Sequence, residues 1–249
     1  MAGFSEATLR RDFEVMMTAT SHVRTYSLGL GIDRVPPLVR ALGMRMTLGL
    51  YIGKDPAAND VEIARGVKII ERNADVIDRI IVGNETIEHG GLTPAQIIAA
   101  IRRVRTEFPG MKVGTAENWS IWLAHPELTK EVDFIGLHLL PYWDGVAEKD
   151  AVAYAMKRYG EIAAAFPEKP IIIGETGWPS MGETRQAAVP SLAAQADYVR
   201  AFAARAKDLD YFIVEAFDQP WKASSFESSV GPHWGVFDAA RKPKIDLSR

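Results

Sequence analysis

Two glutamates stand where apolar runs end. Glu85 closes RIIVGNE (79–85), and Glu175 follows PIIIG in PIIIGETGW (170–178). A carboxylate fixed at the edge of a buried strand is rigid and partly desolvated, which suits it to proton transfer or nucleophilic attack. Two of them on separate strands suit glycoside hydrolysis, in which one protonates the leaving oxygen and the other attacks the anomeric carbon. Gly174 and Gly177 leave room for a ligand beside Glu175. The plain structural alternative is that such acids only serve helix starts, as Glu85 would in the turn before Thr93.

Other strand-like runs also end in polar or aromatic groups. These are Arg24 and Tyr26, then Asn84, then Glu117-Asn118-Trp119, then His138 with Tyr142-Trp143, and Glu215 with Asp218. Flat aromatic faces stack on the apolar C–H face of a pyranose while polar edges bond its hydroxyls. Tyr26, Trp119, Tyr142, Trp143, Trp178, Trp221 and Trp234 are therefore candidate sugar platforms, each weighed against simple core packing.

The elements that must hold these groups are seven apolar runs at 22–30, 45–53, 79–85, 112–119, 133–142, 170–178 and 210–218. Most are apolar throughout rather than alternating, as in parallel strands covered on both faces. Helical patterns separate them. Ser5 precedes Leu9, Phe13, Met16 and Met17 on one face; Thr93, Pro94 and Gln96 form a capping-box start ahead of Ile97, Ile98, Ile101 and Val104; a third helix runs from Ser191 to Lys207. Strand alternating with helix predicts an α/β parallel barrel whose strand ends converge on one face. The count is one strand short of eight, and 221–244 reads as one long functional loop.

With 249 residues the chain is expected to be a single catalytic barrel domain over 1–249. Its net charge of −3 and lack of a basic stripe argue against nucleic acid or an anionic membrane as partner. The absence of cysteine excludes disulfides and thiolate chemistry. No apolar run approaches the roughly 18 residues of a membrane span, and MAGFSEATLRRDFEVMM lacks the apolar core of a signal peptide.

The segments VGNE (82–85) and GETGWPS (174–180), with RTYS (24–27), HLLPYW (138–143), EAFDQPWK (215–222) and HWGVFD (233–238), resemble glycoside hydrolase family 17 over nearly the whole chain. That resemblance implies a clan A (β/α)8 TIM barrel and a β-1,3-glucanase or β-1,3-glucanosyltransferase working by retention, without a cofactor. It implies Glu85 as acid/base, Glu175 as nucleophile, and Asn84 as the contact to the sugar 2-hydroxyl. Tyr26, Tyr142, Trp178, Trp221 and Lys222 fall on subsite positions, and Glu117 on an acidic position near the acid/base. With Trp119, His138, Trp143 and Asp218, read from the strand ends, these make up the expected substrate-binding set. The likeness leans toward bacterial members, some of which sit beside membrane glycosyltransferase modules. A periplasmic or extracellular place of work, tethered to such a module, is the corresponding expectation.

Two departures stand out. Gln219 occupies a position where plant members carry glutamate, and the family's strand ahead of the helix at Ser5 has no counterpart here. The runs containing Arg24–Tyr26 and Phe212–Phe217 would then each lack one strand partner. Two competing readings follow from the residues. One is a sugar-binding barrel without turnover. The other is a metal-dependent sugar isomerase with Glu85, Glu117, His138 and Glu175 as ligands to an oxygen-preferring cation.

Overall fold

A computed structural model describes residues 4–225, 227 and 229–246. They form two compact units, Met1–Gly136 with Phe166–Ile171, and Leu137–Ala165 with Ile172–Arg249.

The first unit begins with α1 (Glu6–Met16), capped by the Ser5 side chain accepting from Thr8 N. There follow β1 (His22–Arg24), α2 (Val35–Ala41), β2 (Arg45–Leu50), α3 (Pro56–Asn73), β3 (Ile77–Asn84), α4 (Pro94–Glu107), β4 (Lys112–Asn118) and α5 (Trp119–Ala124), then the start of β5 (Phe134–Leu139). β1 to β4 pair in chain order and in parallel, with Val23 beside Met46, Leu50 beside Val82, and Asn84 beside Ala116. The β5 edge continues this arrangement through Asp133 N to Val113 O (2.7 Å) and Ile135 N to Pro170 O (2.9 Å). Met46, Leu48, Ile80, Val82 and Val113 are all fully buried, as strands covered on both faces require. The capping box at α4 is complete, with Thr93 and Gln96 satisfying each other's backbone donors.

The second unit takes β5 onward to α6 (Glu148–Ala165), β6 (Ile171–Thr176), α7 (Leu192–Arg205) and β7 (Tyr211–Ile213). β6 and β7 pair in parallel, Thr176 beside Ile213. Tyr198 of α7 bonds the Thr176 hydroxyl at 2.6 Å and stacks on Phe202, which meets Tyr211 edge-on. Thr176 thus faces its helix, so alternation along β6 sends Glu175 to the other face.

All seven expected strands are present, each ending earlier than expected, and β3 begins two residues sooner, at Ile77. Among the described residues there is no eighth strand; β1 has only β2 as a strand neighbour and β7 only β6. Phe4 N bonds Leu30 O at 2.8 Å, which ties Phe4 to the loop after β1. On α1 Leu9 and Phe13 are buried, whereas Met16 at the helix end is half-buried and Met17 caps the helix and is 46% exposed, because the helix ends before it.

Beyond β7 the chain forms no α-helix among the described residues. It is tied by bridges from Phe237 to Phe217 and Pro243 and by the 3₁₀ turns Pro220–Ser224 and Gly231–His233. Gly235 makes the closest approach: a Cβ there would lie 2.0 Å from Asp218 N and 2.3 Å from Phe217 C, both backbone atoms. Gly235→Ala must push those segments apart, at a cost of roughly 2 kcal/mol or more. Thermal unfolding should show a clearly lowered Tm. A Tm equal to the parent's would show that the 233–238 segment does not seat against 217–218.

Candidate active site

Glu85 sits one residue past β3, where the backbone turns sharply. Gly83 (φ 76°) and Glu85 (φ 50°) both take left-handed conformations, which a non-glycine residue adopts only when its surroundings hold it there. A Cβ at Gly83 would also strike Ile97 Cδ1 at 2.8 Å, so glycine there lets α4 pack against the turn. Glu85 N is fixed to Ala116 O at 2.8 Å, and His89 N closes a helical turn onto Glu85 O at 3.1 Å. That turn brings His89 Nε2 to 3.0 Å from Glu85 Oε2. The contact holds the His89 pKa above its ordinary value, chiefly through the hydrogen bond to Glu85, with the charges of Glu85, Glu88 and Glu117 adding to it.

Glu117 lies beneath this turn, fully buried on β4. It accepts from Thr86 Oγ1 (3.1 Å), Ile87 N (2.9 Å) and Glu88 N (3.3 Å). Three donors to one carboxylate stabilise its charge and pin the segment that follows Glu85. Both Glu117 oxygens are engaged in this way, which counts against its use as a metal ligand. Asn84 Oδ1 accepts from Arg24 Nη2, and the Arg24 guanidinium lies 4.6 Å from the centre of the Tyr26 ring, which is 42% exposed. Trp119 starts α5, whose N-terminus is capped by Asn118.

In the second unit His138, fully buried on β5, places Nε2 3.5 Å from Glu175 Oε1. In the same unit the aromatics form a cluster. Tyr142 meets Trp143, Trp178 and Trp234 edge-on at 5.0, 6.1 and 5.8 Å, and Trp143 stacks on Trp234. Tyr142 donates its hydroxyl to Glu183 O at 2.8 Å. Trp178 is fully buried and donates Nε1 to Val189 O, so its ring supports the wall from behind. Trp221 is 60% exposed and fixed by Nε1 donating to Gln219 Oε1. Asp218 accepts from Gly235 N and pairs with Lys244 at 2.7 Å, tying the long loop together.

Four polar groups go beyond the expected set. His89 was readable as the residue four places after Glu85. Glu215 was visible as a strand-end acid, but nothing in the sequence announced its partners. Gln219 and Lys222 both bond Glu215 Oε2, and Glu227 approaches Lys222 from the other side. Burial pushes the Glu215 carboxyl up to about 7, against the opposing pull of Lys222.

The chain matches the BtgE/BtgC glycoside hydrolase domain over residues 4–235. A glucan 1,3-beta-glucosidase of Arthroderma benhamiae is 28% identical across 97% of this chain and 84% of that protein. A probable beta-glucosidase btgE of Aspergillus clavatus is also 28% identical, across 88% of the chain but only 39% of its own length. The chain thus spans well under half of that longer relative. The crystal structure of a glycoside hydrolase family 17 beta-1,3-glucanosyltransferase from Rhizomucor miehei superposes with a TM-score of 0.88 at 30% identity, covering 97% of this chain and 91% of that one. The strand–helix alternation is accordingly that of the (β/α)8 TIM barrel. On these matches the chain belongs to the BtgE/BtgC glycoside hydrolase domain family, within glycoside hydrolase family 17.

Proposed function

We propose that the chain acts on β-1,3-glucan by double displacement, with Glu175 as nucleophile and Glu85 as acid/base. The observation that carries this reading is the placement of each glutamate at the C-terminal end of a buried parallel strand, where barrel enzymes build their sites. In the first step a Glu175 oxygen bonds the anomeric carbon, the glycosidic C–O bond breaks, and the Glu85 proton passes to the departing oxygen. In the second, water or a sugar hydroxyl gives its proton to the Glu85 carboxylate and attacks that carbon, releasing Glu175.

Tyr26, Asn84, Trp119, Trp143, Trp221 and Lys222 are proposed as the groups that touch the sugar. Glu117, His138, Tyr142, Trp178 and Asp218 hold the two glutamates and the aromatic wall in place. Both compact units, residues 1–249, serve one catalytic domain in this reading. An active-site mutant of the Rhizomucor enzyme has been crystallised with laminaritriose, which supports the substrate class. No helix among the described residues is long and apolar enough to cross a membrane. Work outside the cytoplasm, a bacterial type of chain, and tethering to a membrane glycosyltransferase module belong to the same proposal. Neither competing reading, binding alone or a metal-dependent isomerase, is favoured by the family to which the chain belongs.

Incubation with laminarioligosaccharides followed by chromatography tests the activity. Shorter products together with products longer than the substrate are expected, since the glycosyl-enzyme can be taken by a sugar as well as by water. Binding without any change in chain length would overturn the reading in favour of a sugar-binding barrel.

A further inference from the structure

Lys222 stands among three carboxylates. Its Nζ is 3.1 Å from Glu215 Oε2 and 3.5 Å from Glu227 Oε1, and the charge of Glu175 also favours the ammonium form. All of these groups belong to the second unit, and the Lys222 and Glu215 side chains are mostly buried. Gln219 donates to the same Glu215 oxygen that receives Lys222, while Glu215 Oε1 is buried with no hydrogen-bond partner among the described residues. An ammonium has three N–H donors on a flexible four-carbon stem. Glu215 takes up one of those donors, and the ion pair to Glu227 from the other side restricts the stem further.

The restriction matters because of what an unrestricted lysine would do. A loose ammonium near a nucleophilic carboxylate pairs with it, masks its charge and lowers its nucleophilicity. Glu215 and Glu227 compete with Glu175 for that cation. We propose that Glu215 is a positioning residue for the reaction: together with Glu227 it clamps Lys222 away from a masking pair with Glu175, and presents a remaining N–H to a hydroxyl of the sugar bound there. This rests on the reading of Glu175 as nucleophile.

The clamp is sensitive to pH near neutrality. The groups facing Glu215 are Gln219 just before the 3₁₀ turn, Lys222 on it, and Glu227 beyond it. Burial raises the Glu215 carboxyl to about 7, so its charge is present above that pH and lost below it. The consequence of removing the charge therefore grows with pH.

Two measurements test the clamp, the pH dependence of kcat/KM on laminarioligosaccharides and carboxyl titration by carbon NMR. In Glu215→Gln, kcat/KM should fall about ten- to a hundredfold at about pH 8 and less than about threefold at about pH 5, where the parent group is already protonated. Combining it with Lys222→Met should cost little more than Lys222→Met alone, since both act through one ammonium. In Lys222→Met the Glu215 titration midpoint should rise, because the cation that favours its charge has gone. That shift needs neither turnover nor the folding of the Glu215 variant, and an unmoved midpoint overturns the clamp. A moved midpoint combined with parent-like rates in Glu215→Gln at every pH overturns the positioning role. If the parent enzyme processes no glucan, the reading of Glu175 fails instead, while the titration still decides the clamp.

Discussion

Glu175→Ala is expected to lower turnover of laminarioligosaccharides by on the order of 10⁴-fold or more, with little change in their affinity. In the proposed mechanism Glu175 is the group that bonds the anomeric carbon, and removing it removes that step. His138, 3.5 Å from Glu175, is buried on the neighbouring strand. Removing the glutamate side chain leaves Thr176 and its bond to Tyr198 in place on the opposite face of β6, so the fold should survive. Circular dichroism and isothermal titration with laminaritriose would separate lost chemistry from lost structure or lost binding. A variant retaining a tenth or more of the parent kcat would place the nucleophile elsewhere.

Glu85→Ala is expected to act differently on different substrates. With glucan, whose leaving sugar hydroxyl needs a proton, kcat should drop by roughly 10²- to 10⁴-fold. With aryl β-glycosides bearing good leaving groups, the glycosylation step should stay near the parent rate, because the departing phenolate needs little protonation. His89 would also lose its partner at 3.0 Å, and its pKa should fall back toward the ordinary histidine value. Equal losses on both substrate classes would assign Glu85 to binding or structure rather than to proton transfer.

Much of this arrangement is legible in the residues themselves. A parallel strand covered on both faces has to be apolar at successive positions, so the β2, β3, β5 and β6 runs stand out without knowledge of their partners. Ser5, Ser191 and the Thr93–Gln96 pair announce helix starts because the orphan backbone N–H groups can be satisfied by residues close in sequence. The strand-end glutamates follow from the same logic.

What the residues do not disclose is direction and distant partnership. Trp178 and Trp221 are equally plausible as sugar platforms on the page, yet one is fully buried behind Tyr142 and the other is 60% exposed. Ring type alone cannot say which face meets solvent. Glu117 is one more strand-end acid until Thr86, Ile87 and Glu88 are seen to donate to it from some 30 positions away. Asp218 likewise finds Lys244 across 26 residues, through a loop with no periodic pattern to place it. The Glu215–Lys222 pair lies within reach in sequence, but its effect depends on burial, which comes only from the packed fold.

The most direct test of the central claim is the configuration of the glycosyl azide formed when azide is added to the two variants. Azide needs no general base, so in Glu85→Ala it should intercept the glycosyl-enzyme from the face opposite Glu175 and give a β-glycosyl azide of retained configuration. In Glu175→Ala it should occupy the vacated face, attack the substrate directly and give the inverted α-glycosyl azide. NMR of the isolated products reads the anomeric configuration of each. Retention from Glu85→Ala with inversion from Glu175→Ala is the expected result, and the opposite pairing would contradict the assignment by exchanging the two roles.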